Sequence, residues 1–308
     1  MKKLTREAQE RARAFLYTQA RPLERAFYAY EFEAGSRIAV FRELAAFQNP
    51  DGGFGHGMEP DLQLADSSAL ATTVGLQHLR ALGASSEDPL VRGAMAYLLR
   101  TYDAERQVWP IIPPNTDDAP HAPWWTFTDD VAEKWGGFLA NPRAEIVGYL
   151  WDYAELVPDG LRERLTKAVV EHLAAFSKIA DINELLSCYL RLAETRSLPE
   201  SIRAELWSTL VPAADRAVVK DTERWTTYCL TPLRLVESPG SPLMAVMSDA
   251  VLRNLDFAVD HQEADGCWLP EWSWYGLYPD AWPIAKLDWQ GVLTLRMLRI
   301  LRAFGRLA

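Results

Sequence analysis

The 308-residue chain is poor in cysteine, in histidine and in long apolar runs. Its three cysteines, Cys188, Cys229 and Cys267, lie far apart, which speaks against a disulfide framework and against a CxxC metal knuckle. No uncharged apolar run approaches the ~20 residues that cross a bilayer, so no transmembrane segment is expected. Basic residues are in deficit: 32 Lys and Arg stand against 42 Asp and Glu, a formal charge of −10. Nucleic acids and anionic membranes are bound through clustered Lys and Arg, so neither is an expected partner. The opening MKKLTREAQERARAF is charged throughout and has no apolar core of a secretory signal, which predicts a cytoplasmic protein. Strict apolar–polar alternation is missing, so no sheet is predicted, and no Gly/Ser tract divides the chain. G-x-S-x-G and Walker patterns do not occur. The Gly-rich run Gly52–Gly57 follows a helical pattern rather than a strand, which excludes a dinucleotide fold.

What is present is helical and aromatic. Apolar residues reach 49% and charged ones 24%, a soluble globular balance, with 12 Trp, 11 Tyr and 11 Phe. Residues 88–102 place Leu90, Val91, Ala94, Met95, Leu98 and Leu99 on one helical face. Residues 160–177 do the same with Leu161, Leu165, Val169, Leu173 and Phe176; residues 199–217 and 241–262 follow suit. Between these stand charge-poor segments, Ala69–Leu76, Ile146–Trp151, Leu185–Leu190, Trp225–Leu233 and Trp289–Leu295. A helix that is apolar all round must be covered on every side. The alternation predicts six outer–inner hairpins, with inner helices beginning near Pro22, Ser67, Pro142, Ile182, Glu223 and Lys286. Six such hairpins describe an all-α (α/α)6 toroid, a single domain over residues 1–308. Two long non-periodic stretches, 103–141 and 263–285, are rich in Pro and Trp and are placed at the cavity mouth.

Two segments repeat at an offset of 214 residues. Gln48-Asn-Pro-Asp51-Gly52-Gly53-Phe54 and Gln262-Glu-Ala-Asp265-Gly266-Cys267-Trp268 both read Q-x-x-D-G-x-[FW]. Asp-Gly supplies a tight turn with positive φ, and the Gln amide can bond a neighbouring helix end. A partial echo runs from Asp103 through Gln107 to Trp109. This repeat is similar to the QW motif of squalene and oxidosqualene cyclases. The first copy with its continuation also resembles the repeat of protein prenyltransferase β-subunits. Within that superfamily the chain looks most like small bacterial prenyltransferase-like proteins, most of which have no defined activity. The resemblance implies an (α/α)6 barrel whose aromatic cavity takes isoprenoids, with the motifs bracing helices rather than performing chemistry.

The metal and acid motifs of that superfamily are incomplete. No D-x-D-D occurs; the nearest run has Phe127 where the first Asp belongs. Asp129-Asp130-Val-Ala-Glu133 matches a Mg²⁺ motif by letter but has no second copy. Asp265-Gly266-Cys267 matches a zinc D-x-C, yet no His follows Cys267. Neither a metal nor a cofactor is therefore expected. The candidate acids are Glu59 and Asp61, beside His56 in a loop stiffened by Pro60, because a carboxyl buried among aromatics can act as a general acid. Polar residues at inner-helix starts are further candidates: Glu24, Asp66, Arg143 with Glu145, Asp181 with Asn183 and Glu184, and Lys286 with Asp288. Arg143–Glu145 and Lys286–Asp288 could also be plain ion pairs. Trp124, Trp125, Trp272, Trp274 and Tyr275 either line the cavity, where they suit carbocations, sugars or planar ligands, or pack over its rim.

These features point first to a protein that binds isoprenoids or cyclises or isomerises them by metal-independent protonation. A carbohydrate-active (α/α)6 enzyme using paired carboxylates is the first rival reading. A non-catalytic binding or scaffold toroid is the second. The expected partner is a small molecule, isoprenoid or sugar; the sequence sets no oligomeric state.

Overall fold

The computed structural model describes residues 1–176 and 185–308, and thirteen α-helices stand among them. In chain order they open with α1 (Arg6–Thr18), α2 (Pro22–Phe32), α3 (Arg37–Ala45), α4 (Ala69–Ala81) and α5 (Pro89–Thr101). Next come α6 (Val131–Lys134), α7 (Arg143–Asp152), α8 (Leu161–Phe176), α9 (Leu186–Ala193) and α10 (Glu200–Ala217). The last are α11 (Pro232–Leu235), α12 (Met244–Asp260) and α13 (Trp282–Ala303). No strand forms among the described residues, only isolated bridges such as Gln48–Phe54 and Leu62–His121. The fold is all-α, as the helical period predicts. No helix among the described residues is long and apolar enough to cross a membrane.

The two helix types are both real. In α8 the predicted face is buried through Leu161, Leu165, Val169 and Leu173, while Glu163, Arg164 and Lys167 stay in water or at its edge. Each such buried side chain contributes at most about 1.5–3 kcal/mol, enough to hold an amphipathic helix down. In α7, by contrast, every residue from Arg143 to Leu150 is buried, so this helix is enclosed on all sides. Local signals set the ends: Thr5 and Ser68 accept hydrogen bonds from the amides of Ala8 and Ala71, and Pro22 and Pro89 occupy first turns.

Two expected inner helices differ. The charge-poor run Trp225–Leu233 is not a helix; it holds a 3₁₀ turn over Thr222–Thr226, an irregular stretch and then the short α11. Thr226, Thr227 and Thr231 lose rotamer freedom in a helix, and Pro232 drives Thr231 into an extended conformation (φ −77°, ψ 158°). The helix expected from Lys286 begins earlier, at Trp282, with Pro283 in its first turn. The start predicted near Ile182, with Asp181, Asn183 and Glu184, lies outside the described residues.

The chain forms two compact units, residues 1–44 with 214–308, and residues 45–213. In the first, α13 packs against both α1 and α2, and α11 packs on α12. Leu4 and Leu307 bridge there, with the Leu4 amide donating to the Arg306 carbonyl at 2.8 Å. Arg306 is 1% exposed and places Nη1 2.6 Å from Asp256 Oδ1. In the second unit, α4 packs on α5 and α7, and α7 packs on α8 and α9.

Candidate functional site

The two Q-x-x-D-G-x-[FW] copies share one geometry. Gln48 Nε2 donates to the Gly52 carbonyl at 2.9 Å and to the Leu90 carbonyl of α5 at 2.8 Å. Gln262 Nε2 donates to the Gly266 carbonyl at 2.9 Å and to the Ala8 carbonyl of α1 at 3.0 Å. The aspartate caps each turn: Asp51 Oδ1 accepts from the Gly53 amide at 3.0 Å, and Asp265 Oδ1 from the Cys267 amide at 3.2 Å. The aromatic position then donates its amide to a threonine of the charge-poor helix, Phe54 to Thr72 at 3.0 Å and Trp268 to Thr294 at 3.2 Å. Trp109 of the partial echo donates Nε1 to the Leu98 carbonyl at 2.6 Å, as Trp268 does to Ala258 at 2.9 Å. These motifs are braces. Burial and the Asp265 contact push the Cys267 thiol up to about 12, away from the thiolate a zinc ligand needs. No three His, Cys, Asp or Glu side chains group to hold a metal ion among the described residues. Asp130 instead pairs with Lys134 at 3.0 Å.

The loop carrying Glu59 and Asp61 is latched to the segment that carries the first Trp pair. The Ala122 amide donates to the Asp61 carbonyl at 2.8 Å, and the Gln63 amide to the Pro120 carbonyl at 3.0 Å. Asp61 is buried and Glu59 half-buried, and the backbone bonds bring their loop to the segment of Trp124 and Trp125. Trp125 is buried against Trp135, with ring centroids 4.8 Å apart and planes 15° from parallel. His56 is turned to solvent, 2.8 Å from Asn49 Oδ1. The buried imidazole of this region is His121, whose Nε2 lies 3.0 Å from Asp117 Oδ1.

Neither of the (i, i+2) ion pairs offered as an alternative reading forms, because side chains two apart on a helix do not face each other. Glu145 is buried and accepts from Arg191 Nη1 at 2.8 Å, Gln77 Nε2 at 2.8 Å and the Tyr149 hydroxyl at 2.6 Å. That carboxylate is a structural knot joining α4, α7 and α9. Arg143, buried on the same helix, lies within electrostatic reach of the Tyr189 and Tyr102 phenols. Sequence reasoning missed Gln77, Arg191, Tyr102, His172 and Tyr189 here; of these contacts only Glu145–Tyr149 carries a readable i, i+4 signal.

In the unit of residues 1–44 and 214–308, Asp288 of α13 lies near Arg21 and Glu24 rather than pairing with Lys286. Arg21 holds Glu24 by two hydrogen bonds, Nε to Oε2 at 2.9 Å and Nη2 to Oε1 at 2.6 Å. Burial, reinforced by Glu24 and opposed by Arg21, pushes the Asp288 carboxyl up to about 6. The next residue, Trp289, meets Trp272 edge to face at 5.0 Å, and Trp272 meets Tyr228 at 6.2 Å. The Arg234 guanidinium sits 4.7 Å from the Tyr228 ring centre and 5.6 Å from that of Trp272, and bonds Glu271 at 2.6 Å. Trp274 is core, against Tyr278 and Trp282, whereas Tyr275 is 77% exposed in a left-handed turn (φ 50°). The aromatic candidates thus divide: Trp272 packs against Trp289 of α13, Trp274 builds the core and Tyr275 lies outside both. No protein-family model, no curated protein and no solved structure matches this chain.

Proposed function

We propose that the chain closes six helical hairpins into one toroid and performs acid-initiated chemistry on an isoprenoid, with Asp288 as the acid. The observation that carries this reading is the Asp288 carboxyl at about 6, next in sequence to the Trp289–Trp272 pair. A carboxyl of that acidity is partly protonated near neutrality and can deliver a proton to an alkene, and adjacent aromatic faces stabilise the cation that forms. Glu59 and Asp61, the acids the sequence puts first, stand second in this reading; their loop is bonded through its backbone to the segment before Trp124 and Trp125. Within each unit the reading is supported by contacts between the helices assigned to the inner ring, α13 with α2 in one, and α4 with α7 and α7 with α9 in the other. The Leu4–Leu307 bridge supports it too. The carbohydrate reading finds less support, since Glu24, the carboxylate beside Asp288, is locked in a bidentate pair with Arg21.

The experiment is incubation of the purified chain with linear isoprenoid alcohols and their diphosphates, with Mg²⁺ or with EDTA, and mass analysis of products and retained ligand. A cyclised or isomerised product that persists in EDTA and disappears in Asp288→Asn is expected. No turnover and no retained isoprenoid would remove the reading.

A further inference from the structure

Two arginines are fully buried among the described residues, and only one of them has a counter-ion. Arg306 has Asp256 at 2.6 Å. Arg143, 4% exposed in the first turn of α7, donates Nε to the Leu139 carbonyl at 2.9 Å and forms no ion pair with a described carboxylate. Burial pulls its guanidinium below the usual arginine range, with the Tyr189 and Tyr102 phenols opposing that fall. A buried charge without a partner costs several kcal/mol, and folded chains retain one where something outside the chain supplies the partner.

An unmet donor accompanies this charge. The Tyr102 hydroxyl is buried and has no hydrogen-bond partner among the described residues. Tyr189, 1% exposed, bonds His172 Nδ1 through its hydroxyl at 2.5 Å. Burial, and then Arg143, holds the His172 imidazole below its ordinary range, so near neutrality the cluster carries one positive charge rather than two. Tyr102 and His172 are half-buried, which leaves the group a way to the surface. The four side chains come from α7, α8, α9 and the residue after α5.

We infer that Arg143, Tyr102, Tyr189 and His172 form a binding site for the carboxylate of a small organic acid. A guanidinium presents a planar fork of N–H donors that matches two carboxylate oxygens, and the phenol adds a third donor. One fixed charge balances one carboxylate; a phosphate dianion would bring two charges to a site that offers one. The inference does not rest on Asp288 or on an isoprenoid, so either can fail without the other.

Calorimetric titration of the full chain with butyrate and, separately, with inorganic phosphate tests it. Saturable butyrate binding with a Kd of about a millimolar or below is expected, with phosphate weaker. Arg143→Met should lower butyrate affinity about tenfold or more, as expected for a charge-assisted hydrogen bond. Tyr102→Phe removes a hydroxyl with no hydrogen-bond partner among the described residues, so its melting temperature should be unchanged or higher while butyrate affinity falls severalfold. Absence of butyrate saturation in the native chain, tighter binding of phosphate than of butyrate, or unaltered affinity in Tyr102→Phe would each overturn the assignment.

Discussion

The side-chain Nε2 of Gln262 donates to the carbonyl of Ala8, 254 residues earlier in the chain, at 3.0 Å, while a second hydrogen bond from the same nitrogen closes its own turn. Gln48 makes the equivalent pair of bonds to Leu90 and Gly52. A neutral N–H₂ group serves two carbonyls in this way without burying a charge, which suits glutamine to the position. Gln262→Leu and Gln48→Leu should each lose about 1–3 kcal/mol of stability in denaturant unfolding. Gln→Glu at either site should lose more, because a carboxylate accepts and cannot donate to carbonyl oxygens. An equal or smaller loss for Glu than for Leu would show that packing, not hydrogen bonding, holds these turns.

The glycines of the two motifs carry a second constraint. Gly52 and Gly266 have φ of +89° and +99°, and an added Cβ would sit 2.3 Å from the backbone oxygen of Gly93 and 2.3 Å from the backbone carbon of Arg11. Alanine there meets both the left-handed penalty, about 1–2 kcal/mol, and a backbone overlap that no side-chain motion relieves. Gly160 is the control, with φ +73° and nothing within 4 Å of the added atom. Gly160→Ala should cost about 1 kcal/mol, and Gly52→Ala and Gly266→Ala clearly more. Three equal losses, measured as midpoints of urea melts, would mean that the close approach contributes nothing.

What the sequence discloses follows from which forces are local. Helical period and caps are written in neighbouring residues, so α1, α2, α5, α8, α10 and α12 were legible to within a few positions. The role of Q-x-x-D-G-x-[FW] was legible because its aspartate and glycine act within the turn. Its helix partners, Leu90 and Ala8, were not, since they lie 42 and 254 residues away. The stretch Trp225–Leu233 misled because burial removes charge from irregular segments as well as from helices. At the candidate sites the sequence nominated Asp288, Glu145 and Arg143 but not their partners. Arg21–Glu24 is an i, i+3 pair and readable, whereas Glu145–Arg191 joins α7 to α9 and requires the fold.

Asp288 gives a pH prediction with a definite sign. Its folded-state carboxyl is raised to about 6, above its ordinary value, so between about pH 4 and 6 the native chain binds more protons at this site than the unfolded chain. Its contribution to stability is therefore largest in acid, falls as pH rises through that window, and stays low above it. Asp288→Asn should flatten this dependence and raise stability above pH 6 by on the order of 1 kcal/mol, allowing for solvent screening of a half-buried group. Carbon NMR of the Asp288 carboxyl reads the midpoint directly. A midpoint at the ordinary aspartate value would remove both the pH effect and the case for this residue as an acid.

The Glu145–Arg191 pair allows the sharpest separation of structure from function. Glu145 Oε1 takes Gln77 and Tyr149, and Oε2 takes Arg191, so three of the roughly four acceptor sites of its buried carboxylate are occupied by the chain's own side chains. Removing one partner leaves an uncompensated charge among α4, α7 and α9: Glu145→Leu or Arg191→Met should each cost about 3–5 kcal/mol. Removing both charges together should cost well under the sum, because the second change relieves the charge stranded by the first. Burial and Glu145 raise the neighbouring Cys188 thiol to about 12, so Glu145→Leu should also make Cys188 more acidic. A double-mutant cycle by chemical denaturation, with thiol titration of the folded single variant, measures both effects. Losses in the double variant equal to the sum of the singles would place the stabilisation in packing and leave Glu145 available for another role.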